Sequence, residues 1–152
     1  MTDAFVRPAT TLDAHMLAAD MRPHDVEECR AFGHEPLEAL LLPFLGGQEV
    51  LCISDPRNTV YAMFGISDLI TWGCPWMLTS NKFPLIARPF AYRSKTFFDA
   101  LASQHHYLEN MVSANNKAAH RWLKHLGFNI EHELPTDIGG VTFFPFWKYT
   151  RV

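Results

Sequence analysis

Three groups of residues in this chain have the types and spacing to do chemistry. The segment SNKFPLIARPFAYRSK, Ser80 to Lys95, holds four cations: Lys82, Arg88, Arg93 and Lys95. It also holds Ser94 where a helical pattern begins. Cations beside the free N–H groups of a helix start can bind a phosphate. The same residues suit a solvated basic loop that merely caps the helix. The second group is Glu109, with Asp68 and Glu131 behind it, and the tyrosines Tyr92, Tyr107 and Tyr149. A carboxylate can serve as a base and a phenol as an acid, although strand carboxylates more often face solvent or accept a hydrogen bond. The third group is the eight histidines and three cysteines. His105 and His106 are neighbours and His120 and His125 are five apart, so no pair shares a helix face at the i, i+4 spacing of a metal site. No metal is expected. Cys29, Cys52 and Cys74 are odd in number and widely spaced, which predicts reduced, buried thiols rather than disulfides or a nucleophile. The chain has neither a G-x-S-x-G elbow nor a P-loop.

These residues must be held by a core, and the composition provides one. The 152 residues are 48% apolar and 19% charged, with twelve Phe, four Trp and four Tyr. That predicts a single globular domain over residues 1–152. The net charge of -3 argues against a generally basic nucleic-acid-binding surface. No apolar run approaches the ~20 residues of a membrane span. The start, MTDAFVRPATTLDAH, lacks the basic-then-apolar pattern of a secretory signal.

The strongest pattern is YLENMVSANNKAAHRWLKHLGF, Tyr107 to Phe128. It predicts a strand, a turn capped by Asn115, and an amphipathic helix whose stripe is Ala118, Ala119, Trp122, Leu123 and Leu126. Gly127 then stops the helix. Upstream, Ala4 to Ala9 reads as a strand. Thr10 and Asp13 form a capping box for a helix to about Met21 that buries Leu12, Met16 and Ala19. Asp25 to Phe32 is a turn or short helix, with Val26 and Cys29 on one side. Leu37 to Leu42 is a helix closed by Pro43. Glu49–Ser54 and Thr59–Ile66 form a hairpin, with a bulge or close approach at Gly65. Pro75–Thr79 is a central strand, Ser80 to Tyr92 is irregular, and Lys95 to Gln104 is a helix with Phe97, Phe98 and Leu101 inward. Asn129–Leu134 and Val141–Tyr149 are closing strands. The last carries aromatics on both faces, with Pro145 implying an edge or a bulge.

The series Asn116, Ala119, Trp122, Leu126, Gly127 and Phe128, entered from a strand, resembles the second cofactor-binding motif of the GNAT acetyltransferase superfamily. The element order resembles that family over nearly the whole chain. The implied fold is α/β (α+β), a mixed, mostly antiparallel sheet of six to seven strands with about four helices. In the family the strand before the helix splays from its neighbour and an acyl-coenzyme A lies in the cleft. The resemblance therefore implies acetyl-CoA as a possible cofactor, near Met77, Leu78, Thr79, Arg93, Ser94, Lys95, Asn110, Asn116 and Ala119. Catalytic residues are unassigned, with Glu109 and Tyr107 as candidates. Two departures stand out. The family's glycine-rich phosphate loop falls on a segment without glycine, and Leu123 stands where the family often has a tyrosine acid. The stretches MRPHDVEE, MFGISD, PWMLTS and LENMVSANNKAAHRWLKHLGF resemble, more narrowly, the GNAT-like internal virion protein A family of short-tailed bacteriophages. Together these imply a phage protein with eroded catalytic features and a structural or binding role, in the virion or in the host cytoplasm, with virion or host proteins as partners. The alternatives are an active N-acetyltransferase and a modulator that docks on a host protein through the closing strand.

Overall fold

The computed structural model describes residues 3–150, less the side chains of residues 88, 89 and 91–94. It opens with β1 (Phe5–Pro8), followed by α1 (Thr11–Ala18), α2 (Pro23–Ala31) and α3 (Pro36–Leu45). A meander of β2 (Val50–Ser54), β3 (Val60–Asp68) and β4 (Gly73–Thr79) follows. Then come α4 (Ala87–Ala102), β5 (Tyr107–Ser113), α5 (Lys117–His125), β6 (Asn129–Ile130), β7 (Thr136–Ile138) and β8 (Val141–Tyr149). Eight strands form one sheet in the order β1-β2-β3-β4-β5-β8-β6, with β7 also on β8. The described pairings are antiparallel except β4 with β5. The sheet is mixed and mostly antiparallel, as the resemblance implied, with eight strands where six to seven were expected and five α-helices where about four were.

At β2 and β3 the sheet is buried on both faces. Ala14, Leu17, Cys29 and Leu40 of the first three helices pack on Val50, Cys52, Val60 and Met63. On the other face, Ile86 and Phe90 pack on Leu51, Ile53, Tyr61 and Phe64. There too Phe98 and Leu123 pack on Leu108, Val112 and Phe146. The register of β2 on β3 shifts at Ile53/Ser54, which sets Val60 on the opposite side from Ala62 and Phe64. The bulge is thus one step from where the hairpin turns, not at Gly65. Gly65 instead marks the close approach: a Cβ there would lie 2.9 Å from the Glu49 carbonyl oxygen.

Several expectations need correcting. The Thr10/Asp13 capping box forms, but Asp13 is also gripped by Arg7 at 2.7 and 2.8 Å. That turns Asp13, Ala14 and Leu17 inward and leaves Leu12 and Met16 66% and 42% exposed. Pro43 is buried inside α3 rather than closing it. α4 starts at Ala87, eight residues before the expected Lys95, with Pro89 in its first turn, where a missing N–H is tolerated. Phe97 faces out and Phe98 in. Asn116, not Asn115, caps α5, its Oδ1 accepting from Ala119 N–H at 3.3 Å. The strand at Asn129 ends at Ile130. β8 lies between β5 and the outer strands β6 and β7. Pro145 is accommodated because β6 ends opposite Phe146 and β7 begins opposite Phe143, so no outer strand requires its N–H.

Candidate functional site

β4 and β5 run parallel, but their ladder stops after Gly73↔Leu108. Beyond it, side chains bridge the two strands. Asn110 donates from Nδ2 to the Pro75 carbonyl at 2.7 Å, and its Oδ1 turns back to accept from Met111 N–H at 2.7 Å. Further along, α2 enters the split. Asp25 Oδ2 accepts from both the N–H and the hydroxyl of Thr79, at 2.8 and 2.6 Å. Glu28 Oε1 accepts from Ser113 N–H and from Asn116 Nδ2, both at 3.2 Å. Arg22 donates from its backbone N–H to Thr79 C=O at 2.9 Å and from Nη2 to Asn116 Oδ1 at 3.2 Å. His120, one turn into α5, bonds the Ser113 carbonyl through Nε2 at 2.9 Å. Arg22, the N-cap of α2, and Asp25 and Glu28 within it sit at three-residue steps, and together they span β4, β5 and the cap of α5.

This cluster is well desolvated. Asp25, Thr79, Ser113 and Asn116 are each at most 6% exposed. Burial pushes the Asp25 carboxyl up despite its bonds from Thr79 and Arg22. Burial, reinforced by the negative charge of Asp25, pushes Glu28 up to about 7. Burial lowers His120, which therefore favours its neutral form. Cys29 lies beside the two carboxylates and is pushed up to about 12, first by burial. Cys52 and Cys74 rise to about 12 and about 11 for the same first reason. All three cysteines are free thiols and protonated at neutral pH, as befits structural cysteines.

The structure brings four of the residues implied for the cofactor together at this split: Thr79, Asn110, Asn116 and Ala119. Met77 and Leu78 lie on β4 with side chains on opposite faces of the sheet. Strand alternation turns the Met77 backbone toward the split, as at Thr79. Lys95 is elsewhere, exposed and paired with Asp99 at 2.9 Å. Arg93 and Ser94 fall inside α4, so Ser94 does not start that helix; their side chains lie outside the described residues. Tyr107 and Glu109 lie at the narrow end, where the Tyr107 hydroxyl donates to Glu109 and is pushed up to about 12, first by burial. Asp68 is paired with His105, and Glu131 accepts from the Trp147 indole at 2.8 Å. Leu123 is buried in the core. Sequence reading missed Arg22, Asp25 and Glu28 as a site. The signal was present in the R-x-x-D-x-x-E spacing after a proline-flanked start, on the same helix as the apolar Val26 and Cys29.

An acyl-CoA arm laid in the split would need strand N–H groups to bond it. As arranged, those of Thr79, Met111 and Ser113 are taken by Asp25, Asn110 and Glu28. The residues present do not fit that arm without displacing α2 from Thr79 and Ser113 and turning Asn110 from Met111.

No family model and no curated protein matches this chain by sequence. Solved structures do match it. Spermidine N-acetyltransferase from Vibrio cholerae, in complex with CoA and spermine, is similar at 12% identity and TM-score 0.67, over 97% of this chain and 95% of that one. YncA from Salmonella typhimurium, assigned as an acetyltransferase and bound to acetyl-CoA, is similar at 14% identity and TM-score 0.69, over 97% and 94%. A protein assigned as a phosphinothricin N-acetyltransferase is similar at 10% identity and TM-score 0.67, over 99% and 100%. At such identities the likeness is one of architecture, and on that footing the chain has the GNAT fold.

Proposed function

We propose that this GNAT-fold protein has its cofactor split closed by its own second helix, and that it acts as a structural or binding component rather than as an acetyl-transfer catalyst. The observation that carries this reading is the capture of the Thr79, Met111 and Ser113 N–H groups by Asp25, Asn110 and Glu28. A glycine-free phosphate segment and the buried Leu123 support it. The resemblance to internal virion proteins supports a phage setting, in the virion or in the infected bacterium, with virion or host proteins as partners. Among the described residues no helix is long and apolar enough to cross a membrane. Calorimetry with acetyl-CoA tests the reading. No binding at millimolar cofactor is expected. Micromolar binding would overturn it, and its loss on Arg93→Ala with Lys95→Ala would place the phosphates on α4.

One observation favours a second reading, an active N-acetyltransferase. Glu28, pushed up to about 7, is poised to accept a proton near neutral pH. This reading requires α2 to leave the split. Steady turnover of acetyl-CoA with an amine acceptor, abolished by Glu28→Gln, would establish it and exclude the first. Modulation of a host protein remains a use of the first reading. Pull-down from host lysate, compared with Trp147→Ala, separates it from a component that binds only virion proteins.

A further inference from the structure

At the narrow end of the split, β5 and β8 present an open patch on the face of the sheet that α2 covers only further up. Tyr107 lies opposite Tyr149, and Glu109 opposite Trp147, in the β5–β8 register. The three rings touch, with centroids 5.1 Å apart for Tyr107–Tyr149, 5.8 Å for Trp147–Tyr149 and 6.3 Å for Tyr107–Trp147. None of them belongs to the three core clusters, and Tyr149 is 68% exposed. Two carboxylates converge on this trio: Glu109 takes the Tyr107 hydroxyl and Glu131 takes the Trp147 indole N–H. Among the described residues neither glutamate has an ion pair. The nearby cation on β8, Lys148, points to the other face, where it bonds the Leu126 carbonyl at 2.8 Å and lies over Phe98 and Phe128. The β3–β4 hairpin tip ends at the same edge of the sheet, because Asp68 pairs with Gly73 and Gly73 with Leu108. It carries Leu69 and Ile70, 44% and 104% exposed.

We propose that this end of the sheet is a docking surface for a protein segment carrying lysine or arginine beside apolar residues. The cationic head would lie against the Tyr107–Trp147–Tyr149 rings between Glu109 and Glu131, with its apolar neighbours against Leu69 and Ile70. Ring faces flanked by carboxylates that lack a cationic partner attract ammonium and guanidinium groups, and tyrosine and tryptophan are the residues on which binding energy concentrates. A second copy of this chain is disfavoured, because a two-fold contact would set these acids against themselves. A free polyamine is disfavoured because Tyr149, Leu69 and Ile70 are exposed, and the last two are apolar surface that a polyamine would leave uncovered. The surface gives the binding role proposed above a location, and its test does not depend on whether the split takes acetyl-CoA.

The test is an NMR titration of the protein labelled at tryptophan indole nitrogen, with the Trp147 signal assigned from Trp147→Phe. The probe is a short peptide of alternating leucine and lysine, compared with the same peptide acetylated on its lysines and with spermidine alone. A saturable shift of the Trp147 indole is expected with the cationic peptide, weakened roughly tenfold by acetylation and again by Glu109→Gln with Glu131→Gln. Tyr149→Ala, at an exposed position, should weaken it about fivefold. Equal binding of the acetylated peptide, or binding by the double glutamine variant within about twofold of the parent, would overturn the proposal. So would spermidine matching the peptide, which would make the patch a small-cation site instead.

Discussion

Glu28 is the residue whose protonation most affects the fold. Its carboxyl is raised by burial and by Asp25, so the folded chain holds that proton more tightly than the unfolded chain does. The stability this contributes is complete below the unfolded value near 4.5 and is lost as pH rises through about 7. Asp25 is raised too and acts in the same direction. His120 is lowered, so its contribution is present above its unfolded value and is lost as pH falls through the folded one. Glu28→Gln keeps the accepting oxygen and cannot titrate, so comparison with the parent isolates this group. Between pH 4.5 and 8 the parent should lose on the order of 3 kcal/mol relative to Glu28→Gln, read from urea denaturation across pH. Parallel curves would mean that Glu28 is solvated rather than held against Ser113.

At the scale of elements, the start of α5 and the first two turns of α2 carry the site. Asn116 satisfies three partners at once: Ala119 N–H, Arg22 Nη2 and Glu28 Oε1. Asn116→Ala should cost about 2–4 kcal/mol, the loss of a cap plus buried groups left unpaired. Asn115→Ala, at an exposed position, should cost less than about 0.5 kcal/mol. Chemical denaturation of the two variants separates the residues, and equal losses would place the cap wrongly. The far end of α2 is fixed by the turn between β7 and β8. A Cβ on Gly139 would lie 2.5 Å from the Ala31 carbonyl oxygen, at a φ of +58. One on Gly140 would meet nothing, at a φ of +83. Gly139→Ala should therefore destabilise by roughly 2 kcal/mol more than Gly140→Ala, by the same measurement.

For the whole molecule, the question is whether α2 stays in the split. If it does, the Thr79 and Ser113 amides that Asp25 and Glu28 hold should exchange with deuterium slowly, at rates that 1 mM acetyl-CoA changes by less than about twofold. Protection that rises markedly with the cofactor would show the split opening to take it. The sequence alone determined the parts governed by neighbours along the chain. Thr10 with Asp13, the α5 stripe apart from Ala118, which is exposed, the Gly127 stop and the strands at Tyr107 and Val141 were legible because capping and periodicity act over a few residues. The order of elements along the chain was legible as well, and the resemblance implied a mixed, mostly antiparallel sheet, but the placement of β8 between β5 and β6 came from the fold. Tertiary structure decided where a local pattern met a distant partner. Arg7 turned Asp13 inward and Leu12 outward, and Arg22 with Glu28 selected Asn116 over Asn115 as the cap. α4 began at Ala87 because Ile86 and Phe90 had a core to enter, which no count of charges near Ser94 reveals. Arg22, Asp25 and Glu28 became a site for the same reason. Their spacing put them at three-residue steps at the start of a helix, but only the fold set β4 on one side of them and β5 on the other, in surroundings dry enough to shift a carboxyl.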